Sequence, residues 1–202
     1  MGVKICGIKT MEAAKAAVEA GADFIGFVFA DSKRRISREQ AKIISKALPT
    51  NIKKVGVFVN EEAPTILQIA DDIGLDYIQL HGKESPRFVD SLPYPIIKAF
   101  SSHNLAQINE YACDYYLIDS PKAGSGEVFD WKALEMLDTD KDKLILAGGL
   151  NVQNVEEAIL TVKPAIVDVS SGVETNHVKD PIKIKKFVEH ASVVFLQIKE
   201  RE

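Results

Sequence analysis

Short apolar, β-branched runs recur along the whole chain, at 3–6, 24–29, 54–59, 77–80, 96–100, 115–118, 144–147 and 165–169. Most are followed by a stretch in which apolar residues return at helical spacing. The runs are nearly continuously apolar rather than alternating, so they read as strands buried on both faces, the habit of parallel sheets covered by helices. Eight such units close naturally into a (β/α)8 barrel. An open doubly wound sheet alternates strand and helix in the same way, and periodicity alone leaves both architectures open. With 202 residues, 46% of them hydrophobic, the chain can build one sizeable core and is too short for two ordinary domains. Residues 1–202 are therefore expected to form a single domain.

Helix signals fill the gaps between runs. Thr10 can cap a helix over 11–20 that ends at Gly21, Ser37 with Gln40 makes a capping-box pattern, and Ser85 with Pro86 supplies an N-cap followed by proline. Asp130, Asn151 and Asp180 with Pro181 offer three further N-caps. The segment 121–129, carrying Gly124 and Gly126, is too glycine-rich to be helical and reads as a long loop, a candidate lid.

Charge and cysteine content exclude several function classes. The balance of 25 Lys and Arg against 29 Asp and Glu leaves a net charge of −4, and no basic stretch suggests a groove for nucleic acid. The start, MGVKICGIKT, lacks the apolar core of a signal peptide. No apolar run approaches the roughly 20 residues that span a bilayer. A soluble, cytoplasmic protein with no membrane partner is expected. Cys6 and Cys113 belong to no CxxC pair and no Cys/His cluster, so neither a disulfide framework nor a metal site is indicated. Cys113 precedes a strand and reads as structural. The outer helices carry no apolar excess that demands a partner, which is compatible with a monomer or a homodimer.

In a (β/α)8 barrel, chemistry sits at the C-terminal strand ends. The first strand ends in Cys6-Gly7, a thiol backed by a residue that lets a ligand approach the backbone; a cysteine there otherwise reads as a small apolar core residue. Past the second strand stand Lys33, Arg34 and Arg35. Such a run is ordinarily a solvated face, but at a barrel mouth the arginine fork suits a carboxylate. The fourth strand ends in His81-Gly82, where the histidine is either structural or a substrate contact. The sixth ends in Asp119, directly after apolar and aromatic residues, where partial desolvation disfavours the charged form, as a general acid requires. The seventh and eighth end in Ala147-Gly148-Gly149 and Asp168-Val169-Ser170-Ser171-Gly172. Loops after those two strands are where this fold commonly builds a phosphate site from backbone amides.

Together the strings KICGIK, GFVFADSKRRIS, VGVFVN, QLHG, LIDS with GSGEVFDW, LAGGLN and VDVSSGVE resemble the phosphoribosylanthranilate isomerase family, in its order and spacing, from the first strand to the last helix. The resemblance implies a (β/α)8 barrel with phosphate-binding loops after strands 7 and 8. It also implies a cofactor-free Amadori rearrangement of N-(5-phosphoribosyl)anthranilate to 1-(2-carboxyphenylamino)-1-deoxyribulose 5-phosphate in tryptophan biosynthesis. By that resemblance Cys6 matches the general base and Asp119 the general acid. Arg34 matches the arginine beside the anthranilate carboxylate, while Arg35 stands where relatives commonly carry tyrosine. His81 and Asp168 fall where they contact ribose hydroxyls or order the site, and Gly148, Gly149, Ser170, Ser171 and Gly172 match the phosphate cradle. The substrate implied is a small phosphosugar. A thiol's ordinary pKa of about 8.5 is high for a base at neutral pH, so the site is expected to pull that of Cys6 down.

Two other readings compete. A ribulose-phosphate epimerase would resemble a metal site built from His and Asp at several strand ends, and only His81 and Asp168 stand at such places. A catalytically silent phosphosugar-binding protein would keep the glycine-rich anion site without needing both Cys6 and Asp119. Their joint presence favours catalysis.

Overall fold

The computed structural model describes residues 1–120, 128–134, 137 and 139–200. Eight parallel strands close into a barrel in sequence order: β1 (Gly2–Cys6), β2 (Phe24–Val28), β3 (Lys53–Phe58), β4 (Tyr77–Leu80), β5 (Ile96–Ser101), β6 (Tyr115–Asp119), β7 (Leu144–Leu146) and β8 (Ile166–Val169). Closure is visible in the register of β1, whose Lys4 pairs with Phe24 on one side and Asp168 on the other. The open-sheet alternative is thereby eliminated. β1 and β2 are buried at every position, as their unbroken apolar runs require.

Outside the strands lie α1 (Met11–Ala20), α2 (Arg38–Ala47), α3 (Ala63–Ile73), α4 (Pro86–Asp90), α5 (Val155–Val162) and α6 (Pro181–Lys199). Thr10, Ser37, Ser85 and Asp180 each cap as expected, accepting from backbone N–H groups of the first turn. Gly21 ends α1 with φ +90°, a left-handed conformation that costs glycine least. α3 has no side-chain cap: Glu62 precedes it without a capping bond, and its buried Ile66, Ile69, Ala70 and Ile73 hold it against the barrel.

Two expected caps need correction. Asp130 heads a 3-10 turn at Trp131–Leu134 rather than an α-helix, its Oδ1 accepting from Lys132 N at 3.0 Å. Asn151 lies in the turn before α5, whose N-cap is Asn154. The reason is local: Asn151 N donates to Asn154 Oδ1 (2.8 Å) while Asn151 Oδ1 accepts from Gln153 N (2.8 Å), and these bonds bend the chain for one more turn. Most of the expected lid, 121–127, falls outside the described residues. The connection from β5 to β6 carries a 3-10 turn at Ile108–Glu110 where an outer helix would otherwise stand.

Strand alternation sorts the interior into layers drawn from alternate strands. At the N-terminal end Phe24, Tyr77 and Tyr115 meet edge-on or tilted, with Ile166 beside them. Val55, Ile97, Ile145 and Leu117 belong to the same interior cluster. The same parity, followed upward, points Cys6, Gln79, Asp119 and Asp168 into the mouth. Residues of opposite parity, such as Ile5, Ile25, Phe27 and Ile118, join α1 and α6 in the outer core.

Candidate active site at the barrel mouth

Lys4 and Cys6 share the inner face of β1. Gly26 on β2 makes room for the thiol, since a Cβ there would lie 2.8 Å from Cys6 Sγ. The fully buried Lys4 donates from Nζ to Asp168 Oδ1 on β8 at 3.0 Å and stands two residues before Cys6 on the same strand face. Burial pulls the Lys4 ammonium down, but Asp168 and Cys6 outweigh it and hold its pKa above the ordinary lysine value. Burial pushes the Cys6 thiol up, and the pull of Lys4 and Lys179, opposed by Asp168, recovers only part of the rise. The expectation of a lowered thiol pKa is therefore corrected: the resting side chain is a protonated thiol with a cation beside it, since desolvation outweighs the charge effect in this dry position.

Asp119 ends β6 with its carboxylate held from two sides. Oδ1 accepts from Ser120 N at 2.7 Å, and Oδ2 lies 3.3 Å from His81 Nε2. His81 Nδ1 in turn meets Gln79 Nε2 at 2.9 Å. His81 and Asp119, placed apart in the sequence, are thus direct neighbours. Both line a cavity of about 590 Å³ at the ends of β3 to β6, with Phe100, Ser101 and Asn104. Its wall is braced by a buried ion pair, Lys98 Nζ to Glu84 Oε2 at 3.0 Å, and Lys98 also donates to the carbonyls of Leu80 and Gly82.

Arg34 reaches the mouth over Gly7, where a Cβ would strike its Cδ at 2.8 Å. Its fork is already engaged by a carboxylate of this chain: Nε donates to Glu174 Oε1 at 2.7 Å and Nη2 to Oε2 at 3.0 Å. The Nη1 end is not part of that pair. Glu174 begins a two-stranded ribbon, β9 (Glu174–Thr175) and β10 (Val178–Lys179), turned by Asn176 and His177 at φ +52° and +64°. The turn brings Lys179 back to Glu174 Oε1 (2.8 Å), the Ser170 carbonyl (2.8 Å) and Ser170 Oγ (3.2 Å). Burial would raise the Glu174 pKa, but hydrogen bonds from Arg34 and Lys179 overcome it and bring it down to about 2.

The loops after β7 and β8 lie side by side. Gly148 and Gly149 take φ +81° and +67°, and a Cβ on Gly148 would sit 2.4 Å from Ser120 N. Gly172 bridges to Asn151, with no room for a Cβ, which would fall 1.9 Å from the Leu150 carbonyl oxygen. Between the loops a cavity of about 50 Å³ is lined by Asp119, Asp168, Gly148, Gly149, Ser170 and Ser171. The Ser170 hydroxyl donates to the Cys6 carbonyl at 3.1 Å, so it ties the eighth strand to the first. Among the described residues no group of three or more His, Cys, Asp or Glu could hold a metal ion, and no helix is long and apolar enough to cross a membrane.

Sequence reasoning passed over Lys4, Gln79, Glu174 and Lys179. The first two were within reach, since each is polar inside an apolar run and stands two residues before a singled-out side chain on the same strand face. Lys179 carries no local signal, because only the ribbon turns it back toward Ser170. Cys113 is buried in the outer core, and burial lifts its pKa to about 11.

Comparison with known proteins gives a consistent result. Residues 3–190 match the family model described as N-(5'phosphoribosyl)anthranilate (PRA) isomerase. The chain is 51% identical over 195 residues to N-(5'-phosphoribosyl)anthranilate isomerase of Oceanobacillus iheyensis, covering 93% of this chain and 95% of that protein. Among solved structures it resembles phosphoribosyl anthranilate isomerase from Thermus thermophilus, with TM-score 0.89 and 34% identity over 96% of this chain and 100% of the other. It also resembles a phosphoribosyl anthranilate isomerase in complex with reduced 1-(o-carboxyphenylamino)-1-deoxyribulose 5-phosphate, with TM-score 0.84 and 39% identity over 96% and 99% of the two chains.

Proposed function

The chain belongs to the N-(5'-phosphoribosyl)anthranilate isomerase family, and from that premise we propose how its residues divide the work. The reaction is the Amadori rearrangement of N-(5'-phosphoribosyl)anthranilate to 1-(2-carboxyphenylamino)-1-deoxyribulose 5-phosphate in tryptophan biosynthesis. The observation that carries the assignment is the shared cavity: Asp119 and Asp168 line the same space as the glycine and serine loops after β7 and β8. A phosphate seated on those loops leaves the sugar ring beside Asp119, with Cys6 facing it from the first strand.

Protonated Asp119 gives its proton to the furanose ring oxygen as the C1'–O bond breaks, leaving a Schiff base in which the C2' hydrogen is acidic. The Cys6 thiol first gives its proton to solvent, the thiolate forming beside the Lys4 ammonium, and the sulfur then removes that hydrogen to give an enolamine, which tautomerises to the ketone. These are proton transfers that side chains alone can carry, each contributing on the order of 10² to 10⁴. Lys4 supplies the cation that a thiolate needs. Its bond to Asp168 leaves that carboxylate's other oxygen for a ribose hydroxyl. Gly148, Gly149, Ser171 and Gly172 shape the phosphate cradle, and Ser170 anchors it to the Cys6 backbone. Arg34 offers its Nη1 edge to the anthranilate carboxylate while Glu174 fixes the opposite edge. His81 contacts the sugar and Asp119 together.

The test separates the two roles, because only the base breaks a carbon-bound hydrogen. Asp119→Asn is expected to lower kcat by roughly 10² to 10⁴. Cys6→Ser is expected to show a larger kinetic isotope effect than wild type with substrate deuterated at C2'. Near wild-type turnover in both variants would overturn the assignment.

A further inference from the structure

We infer that Lys179 sets the preference for a carboxylated substrate, by neutralising Glu174 so that the charge of Arg34 remains for the ligand. This rests on the reading of Arg34 as the partner of the anthranilate carboxylate. The three side chains form one cluster in which both cations meet the same oxygen. Arg34 Nε lies 2.7 Å and Lys179 Nζ 2.8 Å from Glu174 Oε1, and Arg34 Nη2 donates to Oε2 at 3.0 Å. The register of the ribbon sets Lys179 directly opposite Glu174. The Arg34 side chain is 18% exposed, against 6% for Glu174 and 5% for Lys179, so a ligand entering the mouth meets the guanidinium first.

The cluster answers an electrostatic problem. Glu174 orients the guanidinium, but a carboxylate on one edge of an arginine repels a second carboxylate offered to the other edge, and Arg34 with Glu174 alone carries no net charge. Like charges brought together where solvent is scarce weaken binding severely. Lys179 restores one positive charge to the group. Its surroundings suit the ammonium form, which has three N–H groups and no lone pair. Three oxygens accept from it: Glu174 Oε1, the Ser170 carbonyl at 2.8 Å and Ser170 Oγ at 3.2 Å. The serine hydroxyl gives its own hydrogen to the Cys6 carbonyl, so toward the lysine it is an acceptor. Burial lowers the Lys179 pKa, and the bond to Glu174 opposes that fall. Glu174, at about 2, is charged at neutral pH. Neighbouring lysines are engaged elsewhere: Lys183 Nζ donates to the Glu174 main-chain carbonyl at 2.7 Å, Lys9 Nζ to that of Lys33 at 3.0 Å, and Lys4 pairs with Asp168.

Calorimetry can compare the reaction product, 1-(2-carboxyphenylamino)-1-deoxyribulose 5-phosphate, with its counterpart lacking the carboxylate. The preference is the ratio of the two dissociation constants, and a change at Cys6 or in the phosphate loop acts on both ligands and cancels in it. Lys179→Met is expected to lower the preference by about tenfold or more. Adding Glu174→Gln to Lys179→Met removes the competing charge, so the preference should return most of the way to wild type. A role confined to bracing Ser170 predicts equal weakening of both ligands and no return in the double variant, and either result overturns the inference. If Lys179→Met does not fold, Lys179→Gln serves instead, with the same loss and return expected. Arg34→Ala tests the premise separately and should abolish the preference. A preference that stays at the wild-type value in Arg34→Ala overturns the reading of Arg34 and this inference with it; one lost in Arg34→Ala but kept in Lys179→Met overturns the inference alone.

Discussion

Glu174 shows how one side chain can set the electrostatics around two cations of the mouth, Arg34 and Lys179. It takes two hydrogen bonds from Arg34 and one from Lys179, and its pKa stands at about 2 against an ordinary 4.5. Because the folded value lies below the unfolded one, the stabilisation is complete above about pH 4.5 and is lost as pH falls through about 2. Urea unfolding of wild type and Glu174→Gln across a pH series should therefore show the variant less stable at neutral pH, with the gap closing over that acid window. A gap that persists unchanged at pH 2 would mean that the carboxylate's charge does not hold this pair. The same substitution frees the Arg34 fork, so KM should rise more than kcat falls, since the guanidinium loses its fixed orientation.

The loops after β7 and β8 are short elements in which backbone conformation carries the function. Gly149 at φ +67° sits in a region that a β-branched residue occupies only with strain. Gly149→Val should raise KM strongly and weaken inhibition by inorganic phosphate in parallel, with kcat less affected and the far-UV circular dichroism unchanged. Asn154 braces the same turn from below, its Oδ1 accepting from Asn151 N and its Nδ2 donating to the Gly149 carbonyl at 2.9 Å. Asn154→Ala removes both bonds and should cost about 1 to 2 kcal/mol of stability in chemical denaturation, with a smaller KM increase of the same sign. An Asn154→Ala variant that loses stability while KM stays put would separate the helix start from the anion site.

Across the whole barrel, the Lys4–Asp168 pair joins β1 to β8 at the seam where the sheet closes. A buried pair of this kind adds little net stability, but removing one partner strands the other charge, at a cost of roughly 3 to 5 kcal/mol. Lys4→Met should therefore destabilise the protein on that scale, and Lys4→Met with Asp168→Leu should recover much of it, as read from urea midpoints. Lys4→Met should also slow alkylation of Cys6 in a Cys113→Ser background, because the thiol loses a cation that pulls its pKa down. Faster alkylation in Lys4→Met would contradict the ammonium's part in forming the thiolate.

Much of this architecture is a local matter. Continuous apolar runs dictate two-sided burial, and caps such as Thr10, Ser37 and Asp180 bond within their own first turns, so strands and most helix starts are legible residue by residue. Asn151 misled because its side chain has competing partners within three residues, and the choice of Asn154 depends on the turn that Gly148 and Gly149 make. Cys6, Asp119 and Asp168 could be singled out in advance because each stands at the C-terminal end of an apolar run, where a barrel keeps its chemistry. Partnership could not. Arg34 and Glu174 lie 140 residues apart, and Lys4 and Asp168 lie 164 apart. Only barrel closure brings them together, and with them the burial that lifts the Cys6 thiol against the pull of its cations. The sequence alone determined which groups end the strands at the mouth, because the limits of an apolar run are a property of neighbouring residues; which others join them, which of them touch, and with what charge, was decided by the tertiary structure, because desolvation and ion pairing depend on what packs across the barrel.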